Sequence, residues 1–295
     1  MPVVVVTARE TQKRRTTNMD ALLEPYRTTD ALTLGLLACA LLAVWCWVAS
    51  VVTGNYSQVD RLWSILPVLY TLHFAVHGGF AEARLVLMTT LVVLWGTRLT
   101  YNFARKGGYR AGGEDYRWPV LQARLGPVGF QLLNATFVAP VQNLLLLLLA
   151  VPVYRVAEMG AHRLGPLDGA ATLAFLVFLV GETVADQQQW RFQCDKRARR
   201  ERGEDQEDGF LASGLFRYSR HPNFFCEQGM WWAFYLFAVS ATGRWLDWSI
   251  AGATLLTLLF QGSTVLTERI THGKYPAYAD YQRRTSKLLP RFPRS

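Results

Sequence analysis

One uncharged block constrains the fold of this chain more than any other feature. Residues 34–52 (LGLLACALLAVWCWVASVV) contain no charge in nineteen positions, and a helix of that length crosses about 30 Å of hydrocarbon. Other apolar residues also come in long blocks, unlike the narrow stripes of helices in soluble proteins. Further spans are predicted at residues 62–80, 85–103, 129–153, 167–187, 224–241 and 245–266. The sequence therefore predicts an all-α polytopic membrane protein, a bundle of about seven transmembrane helices.

The distribution of basic residues predicts the orientation of this bundle. Of the 31 Lys and Arg residues, 21 fall in the odd-numbered loops and the C-terminal tail, and nine in the N-terminal segment and the even-numbered loops. Basic residues accumulate on the cytoplasmic side of membrane proteins. We therefore expect a cytoplasmic C-terminus, in a bacterial inner membrane. A basic rim of this kind explains most of the formal charge of +9, which argues against nucleic acid as a partner.

The chain divides into an N-terminal tail, residues 1–30, which we expect to be flexible, and one transmembrane domain, residues 31–295. The four cysteines show no paired spacing, so neither disulfides nor a cysteine zinc site is predicted. His73 and His77 have the i, i+4 spacing of a metal-ligand pair, but no carboxylate accompanies them. No metal site is predicted.

A polar face interrupts the fifth predicted span. Glu182, Asp186, Gln189 and Gln193 follow the spacing i, i+4, i+7 and i+11, which places them on one side of a helix. Ionisable groups within a span are costly and usually face a cavity or a partner. The pattern fits a helix end that leaves the membrane, and also a set of acceptors that lines a cofactor cleft. Glu182 lies deepest in the apolar block and fits the first interpretation least.

Two further polar groups lie near the predicted membrane boundary on the same side. Arg98 stands near the end of the third span, where an arginine either extends its head group to the interface or binds a phosphate or carbonyl. Asp60 and Arg61 open the second span, where an internal ion pair and a catalytic role are both compatible with the pattern.

Three longer polar segments fall on the predicted cytoplasmic side, at residues 104–128, 186–220 and 267–295. Each combines basic and aromatic residues, so the three segments can converge on one ligand at one face of the bundle. The GxGxxG, GxxxxGK[ST] and GxSxG motifs of soluble nucleotide-binding folds and serine hydrolases do not occur. We therefore expect a ligand site of another kind.

Residues 214–232 (GLFRYSRHPNFFCEQGMWW) identify a family resemblance. The stretch resembles the C-terminal signature of the steroid 5-alpha-reductase-like membrane proteins, most closely their bacterial branch, the DUF1295 family. RHPN alone is also found in isoprenylcysteine carboxyl methyltransferases and sterol reductases. Here it stands with five other segments in the expected order: QVDRLWSILP, WGTRLTYNFARKGG, GEDYRW, ETVADQQQWRFQ and YPAYADYQRRTSKLLPRFP.

The resemblance implies an NADPH-dependent reductase whose cofactor enters the bundle from the cytoplasmic face. It implies cofactor-binding roles for Arg98, Arg105, Lys106, Glu182, Asp186, Tyr218, Asn223, Glu227, Tyr281 and Arg284. Arginine forks bind phosphate bidentately, and lipid around the bundle keeps the reacting centre dry. The expected reaction is hydride transfer to a C=C bond of a lipid-soluble, steroid-like or enone substrate that enters from the bilayer.

The chain departs from this family in the substrate half of the site. Characterised steroid reductases use a glutamate in the second span and a tyrosine in the third to polarise the enone carbonyl. Ile65 and Trp95 stand near those positions here. We therefore expect Asp60 or Tyr101 to act as the catalytic residue that supplies the proton.

Two other functions are compatible with the same motifs. One is an S-adenosylmethionine-dependent membrane methyltransferase of the isoprenylcysteine type, and the other is a non-catalytic lipid-binding membrane protein. The polar face from Glu182 and the basic loop at residues 104–117 favour the reductase, since a cationic sulfonium needs fewer arginines. Glu182 also argues against a non-catalytic role, because a scaffold has no evident need for a buried carboxyl.

Overall fold

A computed structural model describes residues 24–80, 82–160, 163–204 and 209–293, and these residues form helices and loops without a strand. The ten helices used below are α1 Ala31–Thr53, α2 Gln58–Leu62, α3 Leu66–His77, α4 Ala83–Arg105, α5 Arg117–Leu133, α6 Ala139–Met159, α7 Pro166–Glu201, α8 Pro222–Thr242, α9 Ala251–Lys274 and α10 Tyr278–Arg284. A π-helical turn, Asn134–Val138, joins α5 to α6. Residues 1–23 of the predicted flexible tail lie outside the described residues.

The predicted all-α membrane bundle is confirmed, and each predicted span coincides with helix. Five helical stretches are long and apolar enough to cross a membrane: Ala31–Thr53, Ala83–Arg105, Arg117–Met159, Pro166–Glu201 and Trp248–Lys274. The other two predicted spans correspond to α3 and α8. α3 has 12 residues, which rise only about 18 Å. The count of seven is therefore approximate.

The helix α6 forms the centre of the bundle. Its leucine-rich stretch, residues 144–153, is apolar on every side, which suits a position among other helices or in lipid. Leu145, Leu146 and Leu147 are fully buried, and α6 packs against α1, α3, α8 and α9. By contrast, Leu41 and Val52 of α1 are 72% and 78% exposed, as expected for side chains that face lipid.

The helix α7 is longer than the sequence predicted. The apolar span was expected to end at residue 187, but the helix continues to Glu201. Continuing the helix keeps the backbone amides of this polar stretch hydrogen-bonded, and Arg199 and Arg200 in its last turn complement the helix dipole. The polar extension of α7 therefore forms one wall of the region beyond the apolar bundle.

A buried ion pair fixes three helices at the end of the bundle opposite to this extension. The Arg84 Nε of α4 donates to Asp168 Oδ1 of α7 at 2.8 Å, and Ser240 Oγ of α8 donates to Asp168 Oδ2 at 2.9 Å. Arg84 and Asp168 are 2% and 1% exposed. Since a buried charge is tolerated only when paired and hydrogen-bonded, this pair holds the starts of α4 and α7 against the end of α8.

Candidate functional site

Two adjoining cavities lie where α4 and α7 leave the bundle and α8 begins. The inner cavity has a volume of about 290 Å³. It is lined by Asp60, Trp63, Ser64, Leu99, Asn102, Phe103, Lys106, Asp115, Arg117, Trp118, Gln142, Glu182, Asp186, Asn223, Phe224, Glu227, Leu259, Phe260 and Ser263. Its wall thus combines apolar and aromatic side chains with several carboxylates.

The carboxylates of α7 in this wall share one arginine of α4. Arg98 forms ion pairs with Glu182 and, through Nη1, with Asp186 Oδ2 at 2.6 Å. Asn102 Nδ2 donates to the same Asp186 oxygen at 2.7 Å, and Lys106 Nζ lies 3.6 Å from Asp186 Oδ1. The i, i+4 spacing of the two acids on α7 matches the spacing of Arg98 and Asn102 on α4, so the polar face predicted on α7 meets polar side chains of α4.

The third carboxylate of this cluster is Glu227 of α8. Its two oxygens accept hydrogen bonds from two indoles: Trp95 Nε1 donates to Oε2 at 2.9 Å, and Trp231 Nε1 donates to Oε1 at 3.0 Å. Glu227 is 4% exposed, and Arg98 Nη2 lies 4.0 Å from its Oε2. Trp95, which stands near the family's tyrosine, therefore positions a carboxylate.

The outer cavity is larger, about 760 Å³. Its basic and aromatic lining comes mostly from the three polar segments that were predicted to converge; Phe103, His221 and Phe224 lie just outside their bounds. The side chains of this kind in its wall are Phe103, Lys106, Tyr116, Arg117, Lys196, Phe210, Phe216, Arg220, His221, Phe224, Lys274, Tyr275, Tyr278 and Tyr281. The predicted convergence of these segments on one face is thus observed.

The two cavities share part of their walls and differ in charge. Lys106, Asn223 and Phe224 line both. Among the described residues the inner wall carries five Asp or Glu against two Lys or Arg, whereas the outer wall carries five Lys or Arg against two Asp or Glu. One elongated ligand with an anionic part and a neutral or cationic part would match this arrangement.

The arginine and histidine of the RHPN motif hold the outer wall together. Arg220 Nε donates to Glu268 Oε1 at 2.7 Å, and His221 Nε2 lies 3.0 Å from the same oxygen. Gln282 Nε2 donates to Glu268 Oε2 at 3.0 Å, and Arg220 Nη1 donates to the Gln282 carbonyl at 3.0 Å. These contacts tie the start of α8 to α9 and α10. Arg220 therefore stabilises the cavity wall.

A tight turn before the motif fastens it to α7. Gly214 has φ of +62°, and a Cβ there would lie 2.6 Å from Gln188 Oε1. The same Gln188 oxygen accepts a hydrogen bond from the Leu215 amide at 2.9 Å. Only glycine combines this left-handed backbone with such a close approach. The polar extension of α7 is therefore needed to place the motif.

Seven of the predicted site residues line the cavities. Asp60, Glu182, Asp186 and Glu227 line the inner cavity, Tyr281 the outer cavity, and Lys106 and Asn223 both. Trp118 Nε1 donates to Asp60 Oδ2 at 3.1 Å. Burial raises the pKa of Asp60, and the nearby Arg117 guanidinium opposes the shift.

The other five predicted residues do not reach either cavity wall. Arg98 neutralises the carboxylates behind the inner wall, and Arg105 donates to Gln187 Oε1 at 2.7 Å while its guanidinium lies over Tyr101 and Trp190. The Tyr101 side chain is 66% exposed. Tyr218 packs against Phe292, and Arg284 is exposed. Buried acids thus engage Arg98, an amide and two aromatic rings engage Arg105, and Tyr101 and Arg284 are exposed outside the cavities.

Sequence reasoning missed several residues of the cavity walls. Arg117 lines both cavities, pairs with Asp115 (Nε to Oδ1, 2.8 Å) and donates from Nη1 to Ser263 Oγ at 2.6 Å. Arg117 and Asp115 belong to the matched segment GEDYRW, so that segment was the available signal. Gln142 had no signal, because the adjacent pair Gln142 and Asn143 in a leucine-rich span shows no helical periodicity.

Comparisons with known proteins identify relatives along most of the chain. The family model described as "Protein of unknown function (DUF1295)" matches residues 46–285. An uncharacterized protein of Schizosaccharomyces pombe is 41% identical over 280 residues, which cover 90% of this chain and 81% of the relative. No solved structure matches the chain. The range matched by the family model contains every residue that lines the two cavities.

Proposed function

The chain belongs to the DUF1295 family, and from that premise we propose that it is an NADPH-dependent membrane reductase. In this proposal it saturates a C=C bond of a lipid-soluble, steroid-like or enone substrate. The observation that carries the proposal is the opposite charge of two adjoining cavities. A dinucleotide with an anionic phosphate part and an uncharged reactive ring matches both cavities at once.

The outer cavity fits the phosphate-bearing part of such a cofactor. Its volume of about 760 Å³ lies within the roughly 300–1,000 Å³ typical of small-molecule sites. Lys106, Lys196 and Lys274 would hold the phosphates as point charges, and the rings of Phe210 and Tyr275 offer surfaces for stacking. When bound, NADPH supplies the hydride for the reduction. Because this lining comes from the most basic segments, we propose that it faces the cytoplasm.

The inner cavity fits the reacting end. Asn223 and Lys106, on the shared wall, would orient the cofactor across the junction. Asp60 would hold the proton that joins one carbon of the reduced bond, while the hydride joins the other. Burial raises the pKa of Asp60, which favours the protonated acid that a proton donor requires.

One observation favours the methyltransferase alternative. Glu182, Asp186 and Glu227 are three carboxylates, and Arg98 and Lys106 are the cations that pair with them. The surplus negative charge suits a sulfonium cation such as that of S-adenosylmethionine. The outer cavity counts against this reading, because S-adenosylmethionine has no phosphates to meet its basic wall. A non-catalytic lipid-binding role leaves the buried charges without a purpose, although burying them is costly.

Ligand titration tests the proposal. The purified protein in lipid nanodiscs is titrated with NADPH and with S-adenosylmethionine separately, and the unfolding temperature is followed. We expect NADPH alone to raise it, because ligands that bind only the folded state stabilise it. Stabilisation by S-adenosylmethionine alone would establish the alternative, and stabilisation by neither would remove both cofactors.

Variants of two cavity-wall residues test where NADPH binds. Asn223→Ala should weaken NADPH binding about tenfold, since a hydrogen bond to a bound ligand contributes about 0.5–1.5 kcal/mol. Its unfolding temperature without ligand should stay near that of the wild type. Glu182→Ala is also expected to weaken NADPH binding. Unchanged affinity in both variants would contradict the assignment of the site.

A further inference from the structure

The inner cavity contains a buried amide, that of Gln142, whose carbonyl oxygen has no hydrogen-bond partner among the described residues. Gln142 of α6 lines this cavity and is 7% exposed. Its Oε1 is buried and accepts no hydrogen bond from the described residues. Its Nε2 donates no hydrogen bond to those residues either. Since more than about 90% of buried polar groups in proteins are hydrogen-bonded, such a group needs an explanation.

Other buried amides nearby donate within their own helix, whereas Gln142 combines an unpaired oxygen with a place in the cavity wall. Gln228 of α8 is 9% exposed, and its Nε2 donates to the Phe224 carbonyl one turn earlier at 2.8 Å. Asn143, next to Gln142, donates from Nδ2 to the Ala139 carbonyl at 2.8 Å; its Oδ1 is buried and also has no partner among the described residues, but Asn143 does not line either cavity. An unsatisfied buried group costs about 1–3 kcal/mol. The amide of Gln142 is therefore available to a ligand.

The surroundings of Gln142 indicate what kind of ligand this is. Trp63, Leu99, Leu259 and Phe260 supply an apolar wall to the same cavity. The volume of about 290 Å³ corresponds to about ten water-sized groups of roughly 30 Å³ each. An amide both donates and accepts, so it pairs with a hydroxyl or a carbonyl oxygen.

We propose that Gln142 binds the oxygen function of a largely apolar ligand in the inner cavity. The enclosed part of this ligand has about ten non-hydrogen atoms, at roughly 30 Å³ per group, and carries one hydroxyl or carbonyl. The inference deepens the proposed function and rests on it only in treating this cavity as the substrate end. Gln142 then selects oxygenated compounds over hydrocarbons of the same shape, because an unpaired amide rejects a ligand that lacks the matching group.

A matched pair of probes tests this selectivity. Geraniol and 2,6-dimethylocta-2,6-diene share one carbon skeleton and differ by a hydroxyl. Their binding to the full chain in nanodiscs is measured by the rise in unfolding temperature, with concentrations corrected for partition into lipid. We expect the wild type to bind geraniol about three- to tenfold more tightly than the hydrocarbon, the effect of one hydrogen bond.

Two methionine variants separate ligand selection from stability. Methionine has nearly the length of glutamine and no hydrogen-bonding amide. Gln142→Met should reduce the preference to about one while it keeps hydrocarbon binding, whereas Gln228→Met, outside the cavity, should retain the preference. An unchanged preference in Gln142→Met, or no binding or no preference in the wild type, would overturn the inference.

The result can be read separately from the proposed function. NADPH is titrated on the same samples without a probe. If the wild type shows no preference between the two probes but NADPH raises its unfolding temperature, the role of Gln142 is contradicted and the reductase proposal is not. If the wild type prefers geraniol but NADPH does not raise its unfolding temperature, the reductase proposal is contradicted and the Gln142 subsite remains supported.

Discussion

The inner and outer cavities adjoin, yet their walls are built in different ways. The inner wall takes three of its five carboxylates, Glu182, Asp186 and Glu227, from the long helices α7 and α8, where neighbouring helices contact each side chain. The outer wall takes its basic residues mainly from loops, from helix ends and from the segment that contains α10. The acidic inner cavity thus adjoins a basic outer cavity whose lining comes from separate segments of the chain.

The difference between the two walls follows from how strongly each is buried. Buried carboxylates are tolerated only where cations and indole N–H groups contact them, so the inner charges need a precise helical frame. Basic side chains near water need no such frame. We therefore expect substitutions in the buried cluster of Arg98 and its carboxylates to affect stability, and substitutions of basic residues in the outer wall to affect ligand affinity.

Removing the shared arginine should have the largest effect. Arg98→Met leaves Glu182 and Asp186 without their main cation, and breaking a buried pair costs about 3–5 kcal/mol. Chemical unfolding in detergent measures the loss. Glu182→Gln on the Arg98→Met background should recover part of it, and Arg105→Met, whose guanidinium is partly exposed, should lose much less. Equal losses in the two single variants would contradict the special role of the inner cluster.

Replacing the candidate proton donor should affect rate and not stability. Asp60→Asn should lower NADPH-dependent reduction of a membrane lipid extract by about 10²- to 10⁴-fold, the usual contribution of general acid catalysis. The wild-type rate should be full below the raised pKa of Asp60 and fall as the pH rises through it, because the carboxyl then loses its proton. The residual activity of the variant should show no such fall.

Tyr101→Phe is the matched control for the proton donor. The Tyr101 side chain is 66% exposed and does not line either cavity, so the rate and its pH dependence should stay as in the wild type. A large loss in Tyr101→Phe with normal activity in Asp60→Asn would reverse the choice between the two predicted donors.

Removing charge from the outer wall should weaken the cofactor by a smaller amount. Lys274→Met should reduce NADPH affinity about tenfold at low salt and less at high salt, because screening weakens contacts of exposed charges. The unfolding temperature without ligand should change little. Lys287→Met, on an exposed lysine that contacts Gln261, is the control and should leave the affinity unchanged. A salt-independent effect of Lys274→Met would argue against a phosphate contact.

A smaller loss of stability than that of Arg98→Met is expected from removing a single indole donor. Trp95→Phe removes the hydrogen bond to Glu227 Oε2 and should cost about 1.5–3 kcal/mol, as for hydrogen bonds to charged groups. Trp232→Phe removes a bond to Thr257 at the surface of the bundle and should cost well under that. Similar melting temperatures for the two variants would show that Glu227 does not depend on Trp95.

Several parts of the site were predictable because they depend on local spacing. The polar face from Glu182 and the segment that follows Pro222 were identified from periodicity and motif, and both line the cavities. Arg98 and Arg105 were expected to bind phosphate, but the structure places them against Asp186 and Gln187. Spacing along one helix cannot show which acid on another helix will engage an arginine first.

By itself the sequence determined the helical class, the positions of the apolar spans and the family, because uncharged length and ordered motifs are local properties of the chain. Only the tertiary structure decided that Arg220 fastens Glu268, that Tyr101 lies outside the cavities, and that Gln142 has no partner among the described residues. Each of these depends on which side chains meet across helices far apart in sequence. The packing of the helices determines these contacts, and the hydropathy of the sequence does not indicate them.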